Sequence, residues 1–260
     1  MKIALLDSGI GLLAAAAALR ELRPDADLVL TCDPDGMPWG PRTAADVTAH
    51  ALDCARAAAA YRPDALVVAC NTASVHALEA IRAELEPGIP VIGTVPAIKP
   101  AAATGGPVAV WATPATTGSA YQRGLIRDFA DGTDVVEVPC WGMAEAVEHA
   151  DQRAIDESIA AAAAQTPPGT RALVLGCTHY ELVADRIRAA LGRPPGLELY
   201  GSARAVAGQA LRRVTPAAAA GQGDGTLVVL RSGRVGELLP ASLGYREGRL
   251  LDTAALAPRP

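Results

Sequence analysis

Two of the five cysteines in this chain share a setting that suits acid–base chemistry. Cys70 closes the run Asp64-Ala65-Leu66-Val67-Val68-Ala69 and is followed by Asn71-Thr72. Cys177 closes Arg171-Ala172-Leu173-Val174-Leu175-Gly176 and is followed by Thr178-His179. Each thiol stands where a buried strand passes into the next element, which is where open α/β sheets carry their chemistry. Exposed amides and the helix dipole at such a junction favour a thiolate. Two similar thiols suit a reaction that needs an acid and a base on opposite sides of one carbon. His179 could share a proton with Cys177 or with an incoming ammonium group.

The other candidates are weaker. Cys54 lies midway along an alanine-rich helix and reads as a small core hydrophobe. Cys32 and Cys140 lie near strand ends without polar neighbours that would promote them, and His50, His76 and His149 fall in helices. No HExxH and no zinc-like Cys/His spacing occurs, so no metal is expected. Asp7-Ser8-Gly9-Ile10-Gly11 is neither a dinucleotide fingerprint nor a P-loop. There Asp7 supplies charge, Ser8 a hydroxyl, and the glycines a close backbone approach. Asn71, Thr72 and Thr178 add donors beside the thiols, and Thr113, Thr116 and Thr117 form a third polar cluster. Together these groups suit an amino-acid zwitterion, with donors on carboxylates and Asp7 on the ammonium. A Cys–His hydrolase is the other chemistry open to them, although it would leave one strand-end cysteine idle.

The elements that must hold these residues alternate. Strands are expected at 3–6, 28–31, 65–69, 90–92, 108–111, 135–138 and 172–175, and helices at 12–22, 44–60, 74–85, 118–129, 143–164 and 203–214. That alternation predicts an α/β fold with mostly parallel sheets. The Pro/Gly-rich loop at 32–43 should hold its polar groups rigidly. The pattern restarts after Thr104-Gly105-Gly106-Pro107. Asp7 precedes Cys70 by 63 positions and Thr113 precedes Cys177 by 64, which predicts an internal duplication. The expected division is 1–96 with about 206–260 as a first α/β domain and 97–205 as a second. Residues 216–225 read as a loop and 226–230 as a hairpin or edge strand.

Composition narrows the class. The 260 residues include one phenylalanine, two lysines and a formal net charge of −5, with no basic block. A nucleic-acid surface is therefore not expected. Charges interrupt every long alanine stretch and Asp7 follows the first strand at once, so neither a membrane span nor a signal peptide is read. Five cysteines without a regular framework fit a cytoplasmic protein with reduced thiols.

The chain resembles the glutamate racemase family, within the wider aspartate/glutamate racemase superfamily. The matching stretches are Asp7-Ser8-Gly9-Ile10-Gly11, Pro38-Trp39-Gly40, Cys70-Asn71-Thr72-Ala73-Ser74, Pro90-Val91-Ile92-Gly93, Thr113-Pro114-Ala115-Thr116, Glu148 and Gly176-Cys177-Thr178-His179-Tyr180. The resemblance implies two pseudo-symmetric domains with the active site in the cleft between them, where hinge closure would exclude water. It implies cofactor-independent racemisation, with Cys70 deprotonating D-glutamate and Cys177 L-glutamate. Asp7, His179 and Glu148 would assist the thiols. Ser8, Asn71, Thr72, Thr113, Thr116, Thr178 and the segment Pro38, Trp39, Gly40 would bind substrate. It further implies a homodimer supplying D-glutamate for peptidoglycan, and hence for cell-wall biogenesis and cell shape. A relative acting on aspartate or another acidic amino acid, or a non-catalytic amino-acid-binding protein of this fold, are the alternatives. The chain departs from the family pattern at several places: Leu12 and Ala14 replace a glycine and a serine of the opening motif, Trp39 stands where tyrosine is usual, Pro139-Cys140 reverses the common Cys-Pro order, Glu181 replaces proline, and Gly201-Ser202 replaces Asp-Ser.

Overall fold

The computed structural model describes residues 1–193, 195–214 and 224–255, so the expected loop at 216–225 lies almost wholly outside the described residues. Among those residues the strands are β1 Lys2–Leu6, β2 Asp27–Cys32, β3 Ala65–Val68, β4 Val91–Gly93 and β5 Val108–Ala112, then β6 Val135–Pro139, β7 Ala172–Leu175, β8 Glu198–Tyr200, β9 Leu227–Arg231 and β10 Arg234–Gly236. The chain divides into two compact units, Met1–Thr94 with Ala203–Pro260, and Val95–Ser202. No helix among the described residues is long and apolar enough to cross a membrane.

The first unit is built on a six-stranded sheet in the order β10-β9-β2-β1-β3-β4. All its pairs are parallel except β9 with β10. After Lys2, β1 and β3 are aliphatic and buried throughout, as strands covered on both faces must be. The helix Ala44–Ala59 covers them with one stripe of Val47, Ala51, Cys54, Ala55 and Ala58. Thr43 begins that helix by accepting a hydrogen bond from the Asp46 amide at 3.2 Å. The segment expected as a hairpin or edge strand forms a hairpin: β9 joins β2, then turns through Ser232 and Gly233, each with positive φ, into β10, which is the edge of the sheet. That two-residue turn matches the twist of an antiparallel pair. Arg20, buried in the helix Leu13–Leu22, donates to the carbonyls of Pro24, Ala26 and Thr226 and so fastens the returning chain to the sheet edge. The helix Arg246–Ala255 was not foreseen from sequence.

The second unit carries a four-stranded, wholly parallel sheet in the order β6-β5-β7-β8. Its core gathers Ile98, Val108, Val110, Ala172 and Val174. Two helices expected as single spans are each divided. Residues 74–85 lie in Asn71–His76 and Leu78–Leu85, and residues 143–164 in Met143–Glu148 and Gln152–Gln165. Asp151 makes the second break by accepting from the Arg153 and Ala154 amides, both at 3.1 Å. Alanine runs carry no periodic contrast across such breaks, so the sequence pattern runs straight through them.

The order β2-β1-β3-β4 recurs as β6-β5-β7-β8. In both, the winding reverses between the first and third strands, and ligands of open α/β sheets sit beyond the carboxyl ends at that reversal. Leu6 pairs with Val68 and Trp111 with Leu175, so Cys70 and Cys177 each stand two residues past the last paired residue of the third strand. The registers extend to Ser8 opposite Cys70 and Thr113 opposite Cys177. Ser8 rather than Asp7 is therefore the positional match of Thr113, and Asp7 lies level with Ala112. Near Cys177 the strands crowd. The Gly176 amide donates to the Trp111 carbonyl at 2.7 Å, and a Cβ at position 176 would lie 2.7 Å from that oxygen and 3.2 Å from the Ala112 Cβ. Replacing Gly176 with alanine should lower stability by about 1–3 kcal/mol, the usual range for overpacking. Urea unfolding reads this as a lower midpoint, and an unchanged midpoint would contradict the crowding.

Candidate active site

The first unit contributes Asp7 and Cys70 from neighbouring strand ends. Asp7 is wholly buried, and its Oδ1 accepts from the Ser8 amide at 2.6 Å and the Ser8 hydroxyl at 3.1 Å. Cys70 is buried and extended in backbone, and it precedes the helix Asn71–His76 as its capping residue. The Cys70 carbonyl accepts from the Ser74 amide at 2.9 Å, closing the turn on which the thiol is carried. Ser8 and Asn71 are buried and Thr72 half-buried around this end of the sheet.

The loop bearing Pro38, Trp39 and Gly40 is fixed through its indole. Trp39 is buried in the core of the first unit, and its Nε1 donates to Asp33 Oδ2 at 3.1 Å. Asp33 also accepts from the Gly36 amide at 3.3 Å and the Ser232 hydroxyl at 2.7 Å, and lies 2.8 Å from His50 Nδ1. The Trp39 side chain is thus committed to the interior. Sequence reasoning missed Asp33 because an acid in a loop ordinarily reads as solvated.

The second unit shows a continuous relay. Cys177 Sγ lies 3.7 Å from His179 Nδ1, and His179 Nε2 lies 2.9 Å from Glu148 Oε2. His179 and Glu148 are both about one-twentieth exposed, at 4% and 5%, so water screens their attraction little. Burial opposes the imidazolium, yet hydrogen bonds and charge from Cys177 and Glu148 outweigh it, holding the His179 pKa well above its ordinary value. Glu148 thereby orients the ring and supports its charge, and the ring presents Nδ1 to the sulfur. This arrangement can deliver a proton to, or withdraw one from, Cys177.

Thr113 and Thr116 hydroxyls lie 3.1 Å apart on the neighbouring strand end, and Thr178 is buried beside Cys177 in sequence. The other thiols differ in kind. Burial pushes Cys54 and Cys140 up to about 12, which leaves both protonated and inert. Tyr180, wholly buried, points its hydroxyl at the Cys140 carbonyl. Among the described residues no group of three or more His, Cys, Asp or Glu is placed to hold a metal ion.

Comparison with known proteins bears on this arrangement. The pattern of the Asp/Glu/Hydantoin racemase family matches residues 12–210. A glutamate racemase of Roseiflexus sp. (strain RS-1) is 38% identical over 198 residues, covering 73% of this chain and 71% of its own. A glutamate racemase of Pectobacterium carotovorum is 35% identical over 214 residues, covering 77% and 72%. Among solved structures, Escherichia coli glutamate racemase in complex with L-glutamate and the activator UDP-MurNAc-Ala superposes with a TM-score of 0.78. It is 26% identical and covers 94% of this chain and 91% of its own.

The relay has a pH signature. Because folding raises the His179 pKa, its contribution to stability is complete below the ordinary value of 6.5 and fades as pH rises through the folded value. Glu148→Gln should lower the His179 pKa, read from the titration of its ring protons. Its stability deficit against wild type in urea should be largest near the acid end of the range and narrow toward alkaline pH. A deficit independent of pH would argue against the pairing.

Proposed function

The chain belongs to the Asp/Glu/Hydantoin racemase family, and we propose that within it the protein interconverts L- and D-glutamate without a cofactor, supplying D-glutamate for peptidoglycan. The observation that carries this reading is the matched placement of two thiols, each two residues beyond the third strand of its unit, with polar side chains around both. The glutamate racemase relatives support glutamate as the substrate.

The chemistry follows from the residues. In the L-to-D direction the Cys177 thiolate removes the Cα proton and becomes a thiol. The Cys70 thiol then delivers its proton to the opposite face and is left as a thiolate. Charge and protons balance, and the enzyme finishes in the protonation state from which D-glutamate would react in reverse. The reading requires the two thiols to act on opposite faces of a single Cα. His179, held by Glu148, is the proton partner of Cys177, and Asp7 serves the Cys70 side.

The Cα–H bond is a very weak acid, and removing its proton places a second negative charge next to the carboxylate. Donors aimed at that charge must supply the stabilisation, each worth about 3–4 kcal/mol when fixed in place. Ser8, Asn71, Thr72, Thr113, Thr116, Thr178 and the backbone of Pro38, Trp39 and Gly40 are the groups assigned to this task and to the ammonium. A homodimer in the bacterial cytoplasm belongs to the same proposal and rests on the family likeness.

The test is proton exchange at Cα in deuterated water, with circular dichroism, using both enantiomers of glutamate and of aspartate and no added cofactor. Glutamate should exchange and racemise, and Cys70→Ala and Cys177→Ala should each lower racemisation by at least about a hundredfold, within the range for losing a general acid or base. Racemisation of aspartate alone would replace the substrate but keep the chemistry. Binding of glutamate without exchange would make the protein a binder, and undiminished racemisation in both variants would overturn the two-thiol mechanism.

A further inference from the structure

The short helices that follow the two cysteines carry matched anchors. Four residues after Cys70, Ser74 Oγ accepts from the Thr94 amide at 2.9 Å and donates to the Val68 carbonyl at 3.1 Å. Four residues after Cys177, Glu181 Oε1 accepts from the Ser202 amide at 2.8 Å and the Ser202 hydroxyl at 3.0 Å. Thr94 and Ser202 are the residues at which the chain leaves the first and the second unit. Each follows the fourth strand of its sheet, β4 or β8, which lies beside the strand that ends in the cysteine. Both are buried, so neither amide could exchange its partner for bulk water without cost.

The second anchor is built by two residues together. A Cβ at Gly201 would lie 2.2 Å from Glu181 Oε2 and 2.5 Å from its Cδ. The carboxylate occupies the space that any side chain at 201 would need. Glycine at 201 and glutamate at 181 are therefore one device.

We propose that Ser74 and Glu181 are positioning residues that tie the Cys70 and Cys177 turns to the two points where the chain crosses between units. The proposal rests on the reading of those thiols as the acid and base. Each anchor acts through its own cysteine. Glu181 sets the turn that takes the proton from L-glutamate, and Ser74 the turn that takes it from D-glutamate. Displacement of a reacting group by about an ångström can cost on the order of a hundredfold in rate.

Glu181→Ala should lower kcat roughly ten- to hundredfold, on that scale, with a smaller effect on KM. The primary isotope effect should rise with α-deuterated L-glutamate and not with α-deuterated D-glutamate. Ser74→Ala should show the reverse preference. Glu181→Gln keeps an acceptor oxygen and should restore most of the rate. Gly201→Ala displaces only the end of a flexible side chain, so it should fold and reproduce the Glu181→Ala phenotype. The double variant Glu181→Ala/Gly201→Ala should be no slower than Glu181→Ala alone.

Folded Glu181→Ala and Gly201→Ala proteins with wild-type kcat and isotope effects would overturn the proposal. So would isotope effects that change equally for both enantiomers, or additive losses in the double variant. If Cys70→Ala and Cys177→Ala abolish racemisation while the anchor variants are silent, this inference alone falls. If the cysteine variants retain racemisation, the functional reading falls as well.

Discussion

A parallel strand covered on both faces can expose chemistry only where its ladder stops. Along β1, β3, β5 and β7 every side chain but that of Lys2 is buried, and the backbone is spent on neighbouring strands. Beyond the last paired residues the ladder no longer fixes which way a side chain must face, so side chains can turn toward a ligand. In each unit the order of strands also reverses there, so the first and third strand ends open onto one crevice. Cys70 and Cys177 occupy the same step beyond that limit, and Ser8 and Thr113 face them across the register. The placement of the candidate catalytic groups thus follows from sheet topology before any side-chain interaction is considered.

The two ends are equipped differently despite that common placement. The second unit surrounds its thiol with a buried imidazole and carboxylate, which interact strongly because little water reaches them. The first unit brings an aspartate whose Oδ1 is already engaged by the Ser8 amide and hydroxyl. The bond from His179 to Glu148 joins the helix Met143–Glu148 to the helix Thr178–Glu181, so the charge on the ring depends on how two separate helices pack. Like placement of the two thiols thus comes with unlike surroundings.

Much of this was legible in the sequence because the strands are short aliphatic runs with abrupt polar ends. The runs into Cys70 and Cys177, the return of the chain through the helix Ala203–Arg213 and the added strand β9 all announce themselves in that way. The break at Ala77 did not, since alanine is compatible with both the helix and its interruption. The spacing that suggested duplication matched Asp7 to Thr113, one residue out of register, because spacing alone cannot say where a ladder ends. The acceptors Asp33 and Glu181 were invisible for another reason. Ser232 and Ser202, with which they bond, are distant in sequence, and the fold brings these serines into reach.

Those two carboxylates also explain how the chain accommodates its departures from the family pattern at Trp39 and at Glu181 with Gly201. A buried indole needs an acceptor for its N–H, and Asp33 supplies one to Trp39 while holding Gly36, His50 and Ser232 as well. The loop therefore keeps its place through a ring whose polar edge faces inward. At positions 181 and 201 the substitution is reciprocal, since the glutamate fills the volume that glycine vacates and takes up the Ser202 amide. Neither change is intelligible as a single residue. Each becomes so once the group that must be satisfied, an indole N–H in one case and a buried amide in the other, is identified and its hydrogen bond traced.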